Sequence, residues 1–86
     1  MKLSSRLEGK VAIVTGSGSG IGQGCALMFA RHGARVMGAD INAQGAEQTL
    51  ATARAEGLAL ESLHPLDLTR PDDVRKLVAH AIQRYG

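Results

Sequence analysis

Glycines are concentrated at one point in the sequence, directly after a short apolar run from Val11 to Val14. Thr15, Gly16, Gly20 and Gly22 form the pattern T-G-x-x-x-G-x-G, and a helical pattern follows it. Free N–H groups and the helix dipole favour an anion at such a helix start, and glycines let the main chain approach a pyrophosphate. No lysine follows these glycines, which excludes a P-loop. The structural alternative is a flexible turn.

A carboxylate, Asp40, stands twenty residues beyond Gly20, at the end of the second apolar run. Adjacent strands lie about 4.8 Å apart, which puts this side chain beside the ribose of a nucleotide held on the glycine loop. A carboxylate there accepts hydrogen bonds from the 2′- and 3′-hydroxyls and repels a 2′-phosphate. The alternative is a solvated aspartate before a turn.

A second acidic position, Asp67, closes the third apolar segment and is followed by Leu68 and Thr69. Its carboxylate could accept a hydrogen bond from an adenine amino group. It could equally well cap the turn that leads into the next helix. The sequence leaves both roles open.

Strand and helix patterns alternate along the chain, which predicts a βαβαβα order with a parallel sheet and right-handed crossovers. Strands are predicted at 11–14, 34–40 and 58–67, with the third at a sheet edge because Pro65 lacks a donor. The first strand has no polar alternation and is predicted to be buried on both faces. In a sheet with the strand order 3-2-1, the outer edge of the first strand would be unpaired. Three helices are predicted, with these markers: an apolar stripe of Ile21, Cys25, Met28, Phe29 and His32; an N-cap at Asn42; a capping box from Thr69 to Asp72; and a stripe of Val74, Leu77, Val78, Ala81, Ile82 and Tyr85.

Composition narrows the classes of function. The 86 residues include 11 glycines and two aromatic residues, Phe29 and Tyr85, and the net charge is +2 without a basic cluster, so nucleic acid is not expected as a partner. No apolar run is long enough to cross a membrane, and the single cysteine, Cys25, is consistent with a cytoplasmic protein. The histidines lack metal-ligand spacing and a partner carboxylate, so no metal site is expected.

Lys10 to Gly22 (KVAIVTGSGSGIG), Asp40 and the Asp67-Leu68-Thr69 segment together resemble the N-terminal third of a short-chain dehydrogenase/reductase. The resemblance implies a doubly wound Rossmann fold, NAD or NADP as cofactor, and hydride transfer to or from a small-molecule alcohol or carbonyl. It also implies a homo-oligomeric parent protein. The implied cofactor-binding residues are Gly16, Ser19, Gly20, Ile21, Gly22, Asp40, Asp67 and Leu68. NAD is expected in preference to NADP, because Asp40 is acidic while Ser19 and Ile41 carry no positive charge.

The catalytic residues of that family have no counterpart here. The family places an Asn-Asn-Ala-Gly segment, a serine and a Tyr-x-x-x-Lys pair beyond the last helix, whereas Tyr85 is followed only by Gly86. Residues 1–86 are therefore interpreted as the dinucleotide-binding portion of one Rossmann domain, truncated before its catalytic half and inactive alone. Two alternatives stay open: a non-catalytic nucleotide-binding or interaction module, and a methyltransferase that uses S-adenosylmethionine.

Overall fold

A computed structural model describes residues 7–85 of the chain. Strands and helices alternate along them as predicted. The three strands form one parallel sheet with the second strand between the first and the third, which is the predicted order 3-2-1 read from the other edge. The elements are β1 (Val11–Thr15), α1 (Gly20–Arg31), β2 (Arg35–Ala39), α2 (Ala43–Ala55), β3 (Leu60–Leu63) and α3 (Pro71–Tyr85).

Successive side chains of β2 enter two separate cores, one on each face of the sheet. Val36 belongs to the core beneath α1 and α2, together with Leu27 and Leu50. Its neighbour Met37 belongs to the core beneath α3, together with Leu77. Because strand side chains alternate between faces, this central strand is covered on both sides, and the sheet is doubly wound as predicted.

Strand β1 is less buried than its sequence predicts. Val14 faces the α1 side and is buried, but Val11 and Ile13 are 45% and 44% exposed. The prediction assumed cover on both faces, whereas α3 packs against β2 and leaves β1 uncovered on that side. For the same reason the outer part of the predicted α3 stripe, Val78 and Ile82 among it, is exposed while Leu77 and Ala81 are buried.

Helix α1 is rotated relative to the predicted stripe. Its buried residues are Ala26, Leu27 and Ala30, whereas Ile21 and Met28 are 87% and 55% exposed. Small side chains let the helix approach the sheet closely, so two alanines occupy the contact that the larger apolar residues were predicted to make. Of those larger residues, Cys25 and Phe29 pack at the margin of the core.

Of the two predicted helix N-terminal caps, the one before α2 is confirmed and the one before α3 is not. Asn42 caps α2 as expected, because its side-chain oxygen accepts a hydrogen bond from the Gly45 N–H at 3.1 Å. The capping box from Thr69 to Asp72 is wrong. Thr69 bonds back to Asp67, and Asp72 pairs with Arg75 on the helix surface. The third strand also ends early, at Leu63, so Pro65 lies beyond it.

Within residues 7–85 no helix combines the length and the apolar character needed to cross a bilayer.

A bidentate salt bridge joins the C-terminal ends of α1 and α2. Arg31 Nε donates to Glu56 Oε1 at 2.8 Å and Arg31 Nη2 donates to Oε2 at 2.5 Å, a fork that matches carboxylate geometry. The hydrogen bonds from Arg31 lower the pKa of Glu56 from 4.5 to about 2.

We expect this pair to make folding stability depend on pH in the acid range. A carboxyl group whose pKa is lower in the folded state stabilises that state above its unfolded pKa of 4.5, and this contribution is lost as the pH falls towards about 2. Urea unfolding midpoints measured across that range should therefore fall more steeply for the wild-type protein than for Glu56→Gln. If the midpoints of the two proteins fell equally steeply with decreasing pH, the proposed contribution of the Arg31–Glu56 pair would be contradicted.

Candidate functional site

The glycine loop connects β1 to α1 and presents open backbone. Gly16 and Gly20 have φ angles of +68° and +54°, which L-residues rarely adopt. A β-carbon built on either residue would meet no other atom within 4 Å. Space in front of the loop is therefore open at both positions.

The first turn of α1 lies directly against this loop. A β-carbon at Gly22 would overlap the Gly16 carbonyl oxygen, so only glycine permits the approach. Ser19 is the N-cap, yet its side chain makes no capping bond, and no acidic residue stands in the first turn. The positive end of the helix dipole is thus not neutralised by a carboxylate of its own first turn and can accept an anion.

Asp40 follows β2 and points back at the loop. Its Oδ2 accepts from the Gly18 N–H and its Oδ1 accepts from the Asn42 N–H, each at 2.8 Å. The side chain remains partly exposed. Each carboxylate oxygen has two lone pairs, so both can accept a further hydrogen bond from a ligand hydroxyl.

A cleft of about 200 Å³ lies at the carboxyl ends of the strands, where ligands bind in open α/β sheets. It brings together the predicted positions Gly16, Asp40, Asp67 and Leu68, which come from three separate stretches of sequence, and Ile41 and Leu66 complete its lining. The exposed positions Ser19, Gly20 and Ile21 lie at the N-terminus of α1, outside the lining of this cleft.

Of the two roles left open for Asp67, the structure shows the turn. Asp67 Oδ1 accepts from the Thr69 hydroxyl at 2.6 Å and from the Thr69 N–H at 3.0 Å. These two bonds lower the pKa of Asp67 and keep it ionised. The carboxylate is also part of the cleft wall, so the turn role leaves it within reach of a ligand.

Sequence reasoning missed the contribution of α2 to this site. A β-carbon at Gly45 would overlap the Gly18 carbonyl oxygen, so α2 packs against the loop through a glycine on each side. The Thr49 hydroxyl, one turn later, donates to the Ser17 carbonyl oxygen at 2.7 Å. The only signal in the sequence was a glycine inside a helical pattern, since such a residue costs helix stability and often marks a close approach.

The expectation that no histidine has a carboxylate partner is wrong for His64. Its Nδ1 lies 2.7 Å from Ser62 Oγ and its Nε2 lies 3.0 Å from Glu47 Oε1. The chain of bonds ties β3 to α2, two elements that the sequence pattern could not bring together. Across residues 7–85 no group of three or more histidine, cysteine or acidic residues could hold a metal ion.

A family model described as short chain dehydrogenase matches residues 10–86. The chain belongs to this family. It is 43% identical over 81 residues to the mitochondrial borneol dehydrogenase of Lavandula x intermedia, covering 94% of this chain but 29% of that protein. The family match argues against the methyltransferase alternative.

Solved structures of short-chain dehydrogenases confirm the Rossmann-type fold. A hydroxysteroid dehydrogenase from Escherichia coli superimposes with a TM-score of 0.89 at 37% identity, covering 94% of this chain and 33% of that one. Actinorhodin polyketide ketoreductase with NADPH gives a TM-score of 0.84 at 32% identity, over 90% of this chain and 29% of that one. The chain therefore spans about a third or less of the relatives it matches.

Ser17 carries a hydroxyl that the fold buries without a partner. The residue is 1% exposed, and its Oγ has no hydrogen-bond partner among the described residues. It packs instead against the backbone of Gly38 in β2. We expect Ser17→Ala to raise the free energy of unfolding by about 1 kcal/mol, because the desolvation cost of the hydroxyl disappears.

Chemical denaturation of Ser17→Ala and of the matched control Ser19→Ala measures this effect. The control should change little, because the Ser19 side chain is exposed and makes no capping bond. Destabilisation by Ser17→Ala would contradict the prediction.

Proposed function

We propose that this chain provides the dinucleotide site of an NAD(P)-dependent oxidoreductase that acts on a small-molecule alcohol or carbonyl. The observation that carries the proposal is the meeting of the glycine loop, Asp40 and the Asp67-Leu68 segment at one end of the sheet. Each group offers what one part of a dinucleotide requires. The resemblance and the family membership support this class of reaction.

The residues present fit such a cofactor. The uncapped start of α1 suits the pyrophosphate, because its N–H groups and dipole favour negative charge and the open faces of Gly16 and Gly20 admit close approach. Asp40 suits the ribose hydroxyls, and the cleft beside Asp67 and Leu68 suits the adenine. When bound, the nicotinamide supplies hydride transfer, while this part of the chain binds and orients the dinucleotide.

The charge of Asp40 supports a preference for NAD. Two like charges about 4 Å apart repel by about 1 kcal/mol in water and about 4 kcal/mol near a protein surface, so a 2′-phosphate is disfavoured beside this carboxylate. Ile41 lines the same cleft and Ser19 lies at the start of α1, and neither offers a positive charge. The ketoreductase was solved with NADPH, so the comparisons do not favour NAD and the proposed preference rests on these three positions.

Residues 1–86 are, on this proposal, the cofactor-binding portion of a single Rossmann domain. Acid–base catalysis typically contributes about 10²- to 10⁴-fold to a rate, and the family's Tyr-x-x-x-Lys pair that supplies it has no counterpart in these residues. The substrate-binding residues would, on this proposal, lie outside residues 1–86. A cytoplasmic location is part of the proposal and is supported by the single cysteine.

Replacing Gly20 with valine should abolish dinucleotide binding. The substitution places a branched side chain in the open space in front of the loop, where the pyrophosphate is proposed to lie, and it disfavours the +54° φ angle. Gly24→Val is the matched control, because Gly24 also faces open space but lies one turn further along α1. Calorimetric titration of NAD into both folded variants measures the difference. Unchanged affinity in folded Gly20→Val would overturn the proposed site.

Replacing Asp40 with asparagine should shift the preference from NAD towards NADP by about tenfold, since it removes the repulsion but keeps an oxygen acceptor. Asparagine is a sharper choice than alanine, because its one amide oxygen can keep one of the two bonds that Asp40 accepts from the Gly18 and Asn42 N–H groups. The measurement is the ratio of dissociation constants for the two cofactors, with the surface variant Asp72→Asn as the charge-matched control. A wild-type preference for NADP, or an unchanged ratio in Asp40→Asn, would refute the assignment.

A further inference from the structure

One peptide unit of the glycine loop, between residues 17 and 18, is held from both sides. Its carbonyl oxygen, on Ser17, accepts the Thr49 hydroxyl at 2.7 Å. Its N–H, on Gly18, donates to Asp40 Oδ2 at 2.8 Å. The C=O and N–H of a trans peptide point in opposite directions within one plane, so rotating this unit breaks both bonds together.

Thr49 is itself fixed. It is 1% exposed, and its Oγ1 accepts a hydrogen bond from Gln23 Nε2 at 3.0 Å. Its single hydroxyl proton has two carbonyl acceptors in range, Ser17 at 2.7 Å and Gly45 at 3.2 Å. The shorter distance gives the stronger bond to Ser17, so the buried hydroxyl is committed to the loop.

We propose that Thr49 is a positioning residue for Asp40 and strengthens recognition of the adenosine ribose through peptide 17–18. This inference rests on the proposed dinucleotide function. The hydroxyl sets the plane of the peptide, the Gly18 N–H sets the position of Asp40 Oδ2, and the carboxylate is thereby aimed before a ligand arrives. Pre-organisation of this kind raises affinity because less ordering remains to be done on binding.

If Thr49 ordered only the glycine loop and not Asp40, removing its hydroxyl would change the affinities for NAD and NADP by the same factor. The loop meets the pyrophosphate, which NAD and NADP share, so loosening it alone would weaken both cofactors equally. Asp40 meets the ribose, at which the two cofactors differ. The ratio of the two affinities therefore separates a role in positioning Asp40 from a general structural role.

The test measures dissociation constants for NAD and NADP in the intact protein carrying Thr49→Val, which keeps the shape and removes the hydroxyl. We expect NAD affinity to fall about three- to tenfold, the usual effect of one hydrogen bond, with a much smaller loss for NADP. Thr49→Ser keeps the hydroxyl and should bind like wild type. Thr52→Val is the matched control, since the Thr52 hydroxyl bonds only within its own helix, to the Gln48 carbonyl oxygen at 3.2 Å.

A double-mutant cycle supplies the second readout. If Thr49 acts through Asp40, Thr49→Val should have little further effect on NAD affinity once Asp40→Ala is present. Additive losses, equal losses for both cofactors, or unchanged binding in Thr49→Val would each overturn the inference while leaving the proposed function intact. Failure of the wild-type protein to bind either dinucleotide would instead overturn the proposed function, and this inference with it.

Folding of the variants is checked by urea unfolding. If Thr49→Val does not fold, Thr49→Ala takes its place. Hydrogen exchange of the Gly18 amide in the unliganded wild-type protein then decides independently: protection of at least about tenfold supports the held peptide, and exchange at the rate of an open loop overturns it.

Discussion

The close packing of α2 against the glycine loop is the constraint on which the rest of the site depends. Gly18 and Gly45 meet without side chains, and this brings the Thr49 hydroxyl to the Ser17 carbonyl. A loop rich in glycine loses more backbone entropy on ordering than any other segment of equal length. Contacts from a neighbouring helix offset that cost, so the glycine loop is ordered by α2 as well as by its own strand and helix.

Strand β2 connects this loop to the two cores. Its side chains enter one core at Val36 and the other at Met37, while Gly38 leaves room for the buried Ser17. Asp40 follows directly and carries charge to the cleft. Burial on both faces fixes where the strand ends, and the position of the carboxylate follows from that. The residues that pack both cores and the carboxylate that lines the cleft are thus consecutive in one short segment.

The sequence was sufficient to predict the order of elements, the parallel sheet, the Asn42 cap and the gathering of Asp40, Asp67 and Leu68 at one cleft. The order, the sheet, the cap and the position of Asp40 follow from local patterns and from the geometry of parallel strands. Leu68 was named only through the family resemblance, and Asp67 lies beyond the end of β3. Two of the failed predictions are local, the capping box from Thr69 to Asp72 and the end of the third strand, and the others concern contacts between elements. The face of α1 was mispredicted because alanines rather than larger residues approach the sheet, and the contacts of Thr49 and His64 depend on where α2 packs. Side-chain periodicity within one element carries no information about such partners.

Two side chains near the carboxyl ends of the strands contribute little to the packing of the described residues. Ser19 occupies an N-cap without bonding through its side chain, and Ile41 is 64% exposed. Substitution at either position leaves in place both cores, the packing of α2 against the loop and the two hydrogen bonds to peptide 17–18. Such positions can drift in evolution at little cost to the fold, and on the proposed function an arginine or lysine there would bring positive charge towards the ribose. On the same proposal, a change of cofactor would need no intermediate that is unable to fold.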